Sequence, residues 1–505
     1  MKRRKYIIAT LQNGLLCFVA RFGSVGTTRI IRTGSRRGSQ ARDGGFGMAD
    51  ASKTRVAIEQ ASENERARIY RKISLRLIPM IFLCYVLNYI DRVNVSFAKL
   101  TFQSDIGLSD ASYGFGVGIF YVGYILFEVP SNLLLGRIGA RKTLTRIMCL
   151  WGLVSCSMAF VTSPATFYLA RILLGAAEAG FFPGIVLYLT FWFPHRLRGR
   201  VMSLFVLAIA VSGIVGGPAS GWIIQHLAGA AGFKGWQWLF LVEGALPVLV
   251  GVGAFFVLSD RPADAAWLTP REKAIVAADL SSGTFEQGHA PARAFLSALR
   301  NPKLWIATFG YFSITWAGTV LNFWAPTIIQ RSGVADVFSV GLLSAIPYSV
   351  GAVGMLLLCR SSDRRLERRW HFALSAFLAA TAALAISLVA QNVAAAIACL
   401  ALLAIGYLSA TALFWTIPVR FLTEAEAVGS LAFISSMGQV GSLAAPIAFG
   451  FFTSLTGGLA VSTGLVAFVL ATGGMAILSL RNPRLVERPL SSKPINTGCD
   501  FGTRS

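Results

Sequence analysis

The sequence reads as an all-α membrane protein, with twelve transmembrane helices arranged as two six-helix pseudo-repeats. Three observations lead there. Of 505 residues, 55% are hydrophobic and 14% charged, with mean hydropathy +0.62, whereas soluble domains carry roughly 25% charged residues. The apolar runs are continuous, about 20 residues long as a bilayer-crossing helix requires, and lack the alternation of a membrane barrel. Basic residues collect in every second loop, the charge signature of a threaded helical chain.

The apolar runs fall near 75–95, 113–135, 144–162, 165–190, 200–225, 238–258, 303–328, 338–358, 371–390, 393–418, 428–452 and 459–480. Between the sixth and seventh lies a polar stretch, Ser259 to Asn301, carrying Arg261, Asp264, Arg271, Glu272, Lys273 and Glu286. The expected organisation is therefore a basic extension and lead (1–70), a first six-helix bundle (71–258), a central loop (259–302), a second six-helix bundle (303–480) and a tail (481–505). With twelve spans, 29 basic residues outside the extension fall on one side, against three on the other: Lys99, Lys234 and Arg331. Both termini are then cytoplasmic.

The net charge of +23 would point to nucleic acid in a soluble protein. Here the first 47 residues, with ten bases and only Asp43 as an acid, supply much of it. Two readings stand for this stretch: translation beginning at Met48, or a basic tail on the cytoplasmic membrane surface. A signal peptide fits less well, because Gln12, Asn13 and Gly14 interrupt its apolar part. No nucleic-acid partner is expected. The seven cysteines are scattered, without metal spacing or a paired framework, and read as small buried hydrophobes.

The halves echo each other. Arg137-Ile138-Gly139-Ala140-Arg141-Lys142 follows the second span, and Ser362-Asp363-Arg364-Arg365 follows the eighth. The fifth span carries Gly213, Gly217-Pro218 and Gly221; the eleventh carries Gly441, Ala445-Pro446 and Gly450. Equivalent placement six spans apart fits a duplicated six-helix unit.

A charge at the centre of a membrane helix costs roughly 2.5–3.5 kcal/mol on insertion scales, so those that are kept are candidates for function. The first span contains Asn88-Tyr89-Ile90-Asp91-Arg92-Val93-Asn94, and the fourth runs from Arg171 through Glu178. Arg171 and Glu178 stand about two helical turns apart and share a face. Two cations then balance two anions, allowing Asp91 to pair with Arg171 and Arg92 with Glu178. Protonating one acid would release an arginine for a substrate carboxylate, and competition between burial and ion pairing would set the switch. Glu128, near the cytoplasmic end of the second span, is expected to meet loop bases, and Glu243, at the outer start of the sixth, to snorkel as a structural group. No nucleotide-binding P-loop, metal motif or nucleophile elbow occurs, so neither an enzyme nor a cofactor is expected.

These residues resemble the anion:cation symporter family of the major facilitator superfamily, which includes bacterial tartrate, phthalate, hydroxyphenylacetate and sugar-acid permeases and is related to sialin and vesicular glutamate transporters. The resemblance runs from about Arg71 to Arg481. It is carried by Asn88 to Asn94, Phe127-Glu128-Val129-Pro130-Ser131-Asn132, Arg171 to Gly184, Gly235-Trp236-Gln237-Trp238 and Asp260-Arg261-Pro262-Ala263-Asp264. It implies the major facilitator fold and proton-driven uptake of a small organic anion by alternating access, in a monomer of the bacterial inner membrane. By similarity Asp91 and Glu178 are the protonatable acids, Arg92 and Arg171 the cavity arginines, and Tyr89 and Tyr124 aromatic neighbours of the substrate. Two positions depart from the family: Gly136 stands where the loop signature usually has Asp, and Ser435 and Gln439 replace an Asn-Ser-x-Gly-Asn pattern on the eleventh span. Proton-coupled efflux is the competing transport reading, from the Gly213 to Gly221 pattern. A nontransporting nutrient sensor is the alternative from another class, disfavoured because both protonatable acids are present.

Overall fold

The computed structural model describes residues 63–281, 297–389, 391–422 and 424–480. The expectations on Met48, the basic extension, Glu286 and the tail 481–505 fall outside these residues. Among them the chain forms fifteen α-helices: α1 (Glu63–Asp105), α2 (Asp110–Ile138), α3 (Ala140–Ser157), α4 (Pro164–Glu178), α5 (Phe181–Trp192), α6 (His195–His226), α7 (Gly235–Val257), α8 (Pro270–Ser281), α9 (Pro302–Thr319), α10 (Ala325–Arg331), α11 (Val337–Arg365), α12 (Arg369–Leu388), α13 (Val393–Phe414), α14 (Glu424–Thr456) and α15 (Ala460–Ser479). Twelve membrane-length apolar spans result, with α4 and α5 forming one and α9 and α10 another.

Short polar residues start several of these helices where lipid offers the first backbone N–H groups no partner. Ser109 accepts from the Ser112 amide at 3.0 Å, Asp336 from Ser339 at 2.7 Å, and Asn392 from Ala395 at 3.0 Å. Ser163 and Thr166 form a reciprocal capping box on α4.

Two spans that read as continuous in sequence are interrupted. The fourth breaks at Ala179-Gly180, where Gly180 takes a left-handed φ of +84°. The seventh passes through a π-helical segment, Val320–Trp324, between α9 and α10. The first span, expected to end near residue 95, continues to Asp105. No Gly or Pro interrupts the chain between Val93 and Ile106, so nothing stops the helix there. Asp91 and Arg92 consequently stand deep inside a 43-residue helix and not at its rim.

Helix packing repeats six spans apart. In the first half α1 packs on α6 and α7, α2 on α4, and α3 on α7; in the second half α9 packs on α14 and α15, α11 on α13, and α12 on α15. Two seams related in the same way join the halves, α6 on α11 and α2 on α14. The glycines that mark the repeat make the seams possible. A Cβ on Gly217 would lie 2.8 Å from the Gly341 carbonyl, and one on Gly114 would lie 3.0 Å from the Gly450 Cα. Both contacts sit toward the end of the bundle opposite the central segment.

That end is also pinned across the halves. Arg331 of α10 pairs with Asp110 of α2 at 2.8 Å, and Asp110 pairs with Lys99 of α1 at 2.8 Å. The Lys99 ammonium stands 3.7 Å from the Trp324 ring centroid and 4.6 Å from that of Tyr113, whose hydroxyl donates to the Phe323 carbonyl at 3.1 Å. Lys99, grouped by sequence with the loop bases, is therefore buried. Its carboxylate partner arrives on the next helix, and the aromatic faces replace water around the cation.

Within the first half, α2 and α4 approach at Gly175, where a Cβ would fall 3.0 Å from the Tyr124 amide and closer still to the Phe120 carbonyl. Overpacking of this kind costs about 1–3 kcal/mol. Gly175→Leu should lower the thermal unfolding temperature of the detergent-solubilised protein; an unchanged transition would refute the close approach.

Candidate functional site

The Gly175 contact brings Phe120 and Tyr124 of α2 beside the charged face of α4, while α1 supplies Tyr85, Tyr89, Asp91 and Arg92. At the meeting point Arg92 forms an ion pair with Glu178. Its guanidinium carbon lies 5.6 Å from the Tyr89 ring centroid, 5.4 Å from that of Phe120 and 5.6 Å from that of Tyr124. Arg171 stands 4.9 Å from the same Phe120 ring and donates from Nε to the Gly116 carbonyl at 3.2 Å. One aromatic ring thus serves two guanidinium groups. Quadrupole attraction holds each cation without neutralising it.

The two arginines differ in access. The Arg92 side chain is 15% exposed, Arg171 is fully enclosed, and both terminal nitrogens of Arg171 lack a hydrogen-bond partner among the described residues. Of the two guanidinium groups, Arg92 is therefore the more accessible.

Five of the expected site residues, Tyr89, Arg92, Tyr124, Arg171 and Glu178, gather around Phe120 and the Arg92–Glu178 pair. Asp91 does not. Adjacent residues on a helix point about 100° apart, so Arg92 faces α2 and α4 whereas Asp91 turns toward α3. There it accepts from Ser155 and from Asn94, the latter at 3.1 Å. The anticipated Asp91–Arg171 pair is absent among the described contacts; the hydroxyl and the amide take its place.

Glu178 ends α4 one residue before the Ala179-Gly180 break, and α5 restarts at Phe181. A restarted helix leaves its first backbone N–H groups without intrahelical partners. Gly180 is needed for the break on two counts: its φ is positive, and a Cβ there would meet Ser131 at 2.7 Å.

Two other acids depart from expectation. Glu243 does not reach the membrane rim; it is buried and accepts from Ser220 at 2.8 Å. Its apolar surroundings in sequence, Leu241-Val242 before it and Gly244-Ala245 after, were the available signal. Glu128 is half-buried and pairs with no base among the described residues.

The second half answers with uncharged groups. Tyr348 donates to Asn322 at 2.9 Å, and Tyr311 packs on Trp415 with ring centroids 4.8 Å apart. Among the described residues of that half no Asp, Glu, Lys or Arg is buried. A wall of cations and acids facing aromatic and amide groups suits a small solute with a charged end and a neutral body.

Twelve spans in repeated halves around such a lining define a membrane transporter. Residues 81–446 match the Major Facilitator Superfamily, and the chain belongs to it. It is 42% identical over 389 residues to the putative metabolite transport protein NicT of Pseudomonas putida, across 77% of this chain and 89% of that one. It is 39% identical to a putative tartrate transporter of Agrobacterium vitis, across 83% and 93% of the two chains, and 39% identical to a quinolone resistance transporter of Acinetobacter baumannii, across 80% and 93%. The fold matches that of the xylose transporter XylE from E. coli in a partially occluded inward open conformation, with TM-score 0.64 at 13% identity over 80% of this chain and 97% of that one.

Gly180→Ala should cost about 1–2 kcal/mol in backbone strain beyond the Ser131 clash. A lower thermal transition is expected, and Ser131→Gly introduced with it should restore only the part due to the clash. Full restoration would show that the left-handed φ carries no cost.

Proposed function

We propose that the protein is a proton-coupled symporter that takes up a small organic anion, such as tartrate, a sugar acid or an aromatic carboxylate, by alternating access. The Arg92–Glu178 pair in contact with Phe120, Tyr89 and Tyr124 carries this reading. With Glu178 ionised, Arg92 is engaged. Protonation of Glu178 frees a guanidinium whose fork geometry matches a carboxylate, so proton and anion enter together. Arg171 adds a second positive charge behind Phe120, and Asp91 is the second proton-carrying acid. The tartrate transporter relative supports a carboxylate cargo.

The loop charges support a cytoplasmic location for both termini. On that orientation the Gly114, Gly341 and Arg331 contacts close the outer end. The membrane is the bacterial inner membrane and the working unit a monomer.

Efflux is the second reading, favoured by the name of the quinolone resistance relative. Two buried arginines suit an anion better than a cationic compound, which is why uptake is preferred here. Accumulation of labelled sugar acids and aromatic acids in proteoliposomes, with an imposed pH gradient of either sign, separates the readings. Uptake of an acid toward the alkaline side is expected; accumulation only in exchange for protons would favour efflux.

Arg171→Ala should abolish anion uptake while leaving the protein inserted. Unchanged uptake by the purified variant would remove Arg171 from the mechanism.

Glu178→Gln keeps the shape of the side chain but not its charge. Anion counterflow should persist, while accumulation driven by the pH gradient falls to that of gradient-free vesicles. Normal gradient dependence would move coupling to another acid.

A further inference from the structure

Counting buried charges in the first half leads to a residue that the mechanism above does not use. Asp91, Glu178 and Glu243 are three buried carboxyl groups, whereas Arg92 and Arg171 supply two cations. Lys99 adds nothing to this sum, being matched by Asp110, which also holds Arg331. An unmatched anion inside a membrane bundle is costly. One proton removes it.

The geometry points to where that proton resides. Asn94 donates to Asp91 at 3.1 Å and shares the lining of one cavity with Ser220, the partner of Glu243. Ser155 donates to one Asp91 oxygen, and Ser220 donates to one Glu243 oxygen at 2.8 Å. On all three acids one oxygen, Asp91 Oδ2, Glu178 Oε2 and Glu243 Oε2, is buried without a hydrogen-bond partner among the described residues, but only Glu178 has a cation, Arg92, on its other oxygen. A carboxylate can only accept, and a carboxylic acid can donate. A proton on either carboxyl group removes the excess charge, and the hydrogen-bond partners of the two acids, Asn94 and Ser220, line one cavity.

We propose that Asp91 and Glu243 form one proton-binding unit, linked through Asn94 and Ser220 at a common cavity, and that Glu243 is a proton-carrying residue of the transport cycle. This rests on the proton-coupled reading above and specifies it: the proton assigned there to Asp91 is held jointly, apart from the Arg92–Glu178 pair. The groups facing the unit are Asn94 from α1, Ser155 and Cys156 from α3, Arg171 and Glu178 from α4, and Ser220 from α6. Asn94 and Ser220 line a cavity of about 20 Å³ together with Ser212, Asn322 and Tyr348 at the junction of the two halves, room for about one water.

Infrared difference spectra of the purified protein in lipid, taken between acid and alkaline pH without any anion, test this through the carbonyl stretch of protonated buried carboxyl groups. Asp91→Asn and Glu243→Gln should each remove the same band, and the double variant should remove no more than either alone. With Gln at 243, two acids face two arginines and Asp91 has no need of a proton. Separate bands that vanish independently, or a Glu243→Gln spectrum identical to that of the parent, would overturn the proposal. Should Glu243→Gln fail to fold, Ser220→Ala removes only the hydroxyl donor and should move the pH at which that band appears; an unmoved band would count against the unit. Because no solute is needed, a shared band in a protein that accumulates no carboxylate would sink the symport reading alone.

Discussion

Charge neutrality inside the first half governs the architecture. Each ionised group there has been taken from water into a bundle surrounded by lipid, at a cost of several kcal/mol that only a partner or a proton offsets. The backbone is arranged around meeting that cost. Gly175 lets α2 approach α4 until Phe120 lies between two guanidinium groups, and α1 continues to Asp105 so that Lys99 reaches Asp110. A single uncompensated substitution among these charges leaves its partner stranded. Their roles in binding and their roles in folding are consequently hard to separate by loss of activity alone.

The two halves share packing but not chemistry. Seams related by the repeat, Gly217 against Gly341 and Gly114 against Gly450, bring the halves together through backbone contacts at one end. Such contacts have no side chains to interlock and so cost little rotamer entropy, whereas the Asp110–Arg331 pair and the Lys99 ammonium against the Trp324 ring fix which groups meet at that end. Away from the Arg331 pair, the buried Asp, Glu, Lys and Arg residues of the two bundles lie in the first half among the described residues. The second half presents Tyr348, Asn322 and Tyr311 instead.

Much of this was legible in the sequence, for identifiable reasons. Span number follows from hydrophobic length and loop charge, quantities that tertiary contacts barely alter. The repeat was visible because its glycines sit where helices touch. The residues beside Arg92 were legible as well, since a buried ion must find a counterion and few existed. Partner choice was not. Asp91 and Arg92 are neighbours in sequence yet look in directions about 100° apart, and nothing in composition says that a serine on α3 and an asparagine three residues on would satisfy Asp91. Glu243 was misjudged because its distance from the helix start measured depth along the axis but not which face it occupied. Lys99 was misread because its partner lies beyond a turn.

The break in the fourth span ties the electrostatics to motion. Ending α4 at Glu178 and starting α5 at Phe181 divides the span at the residue that holds Arg92. If Glu178 takes up the proton, as proposed, the tie it gives up is the ion pair to α1. Gly180 sits so close to Ser131 of α2 that a Cβ would not fit. On the proposed mechanism, proton loading at Glu178 loosens the N-half at the joint where α1, α2 and α4 meet. The arginine it releases is the more accessible of the two, which links anion capture to the same local rearrangement without requiring a signal to travel through the bundle.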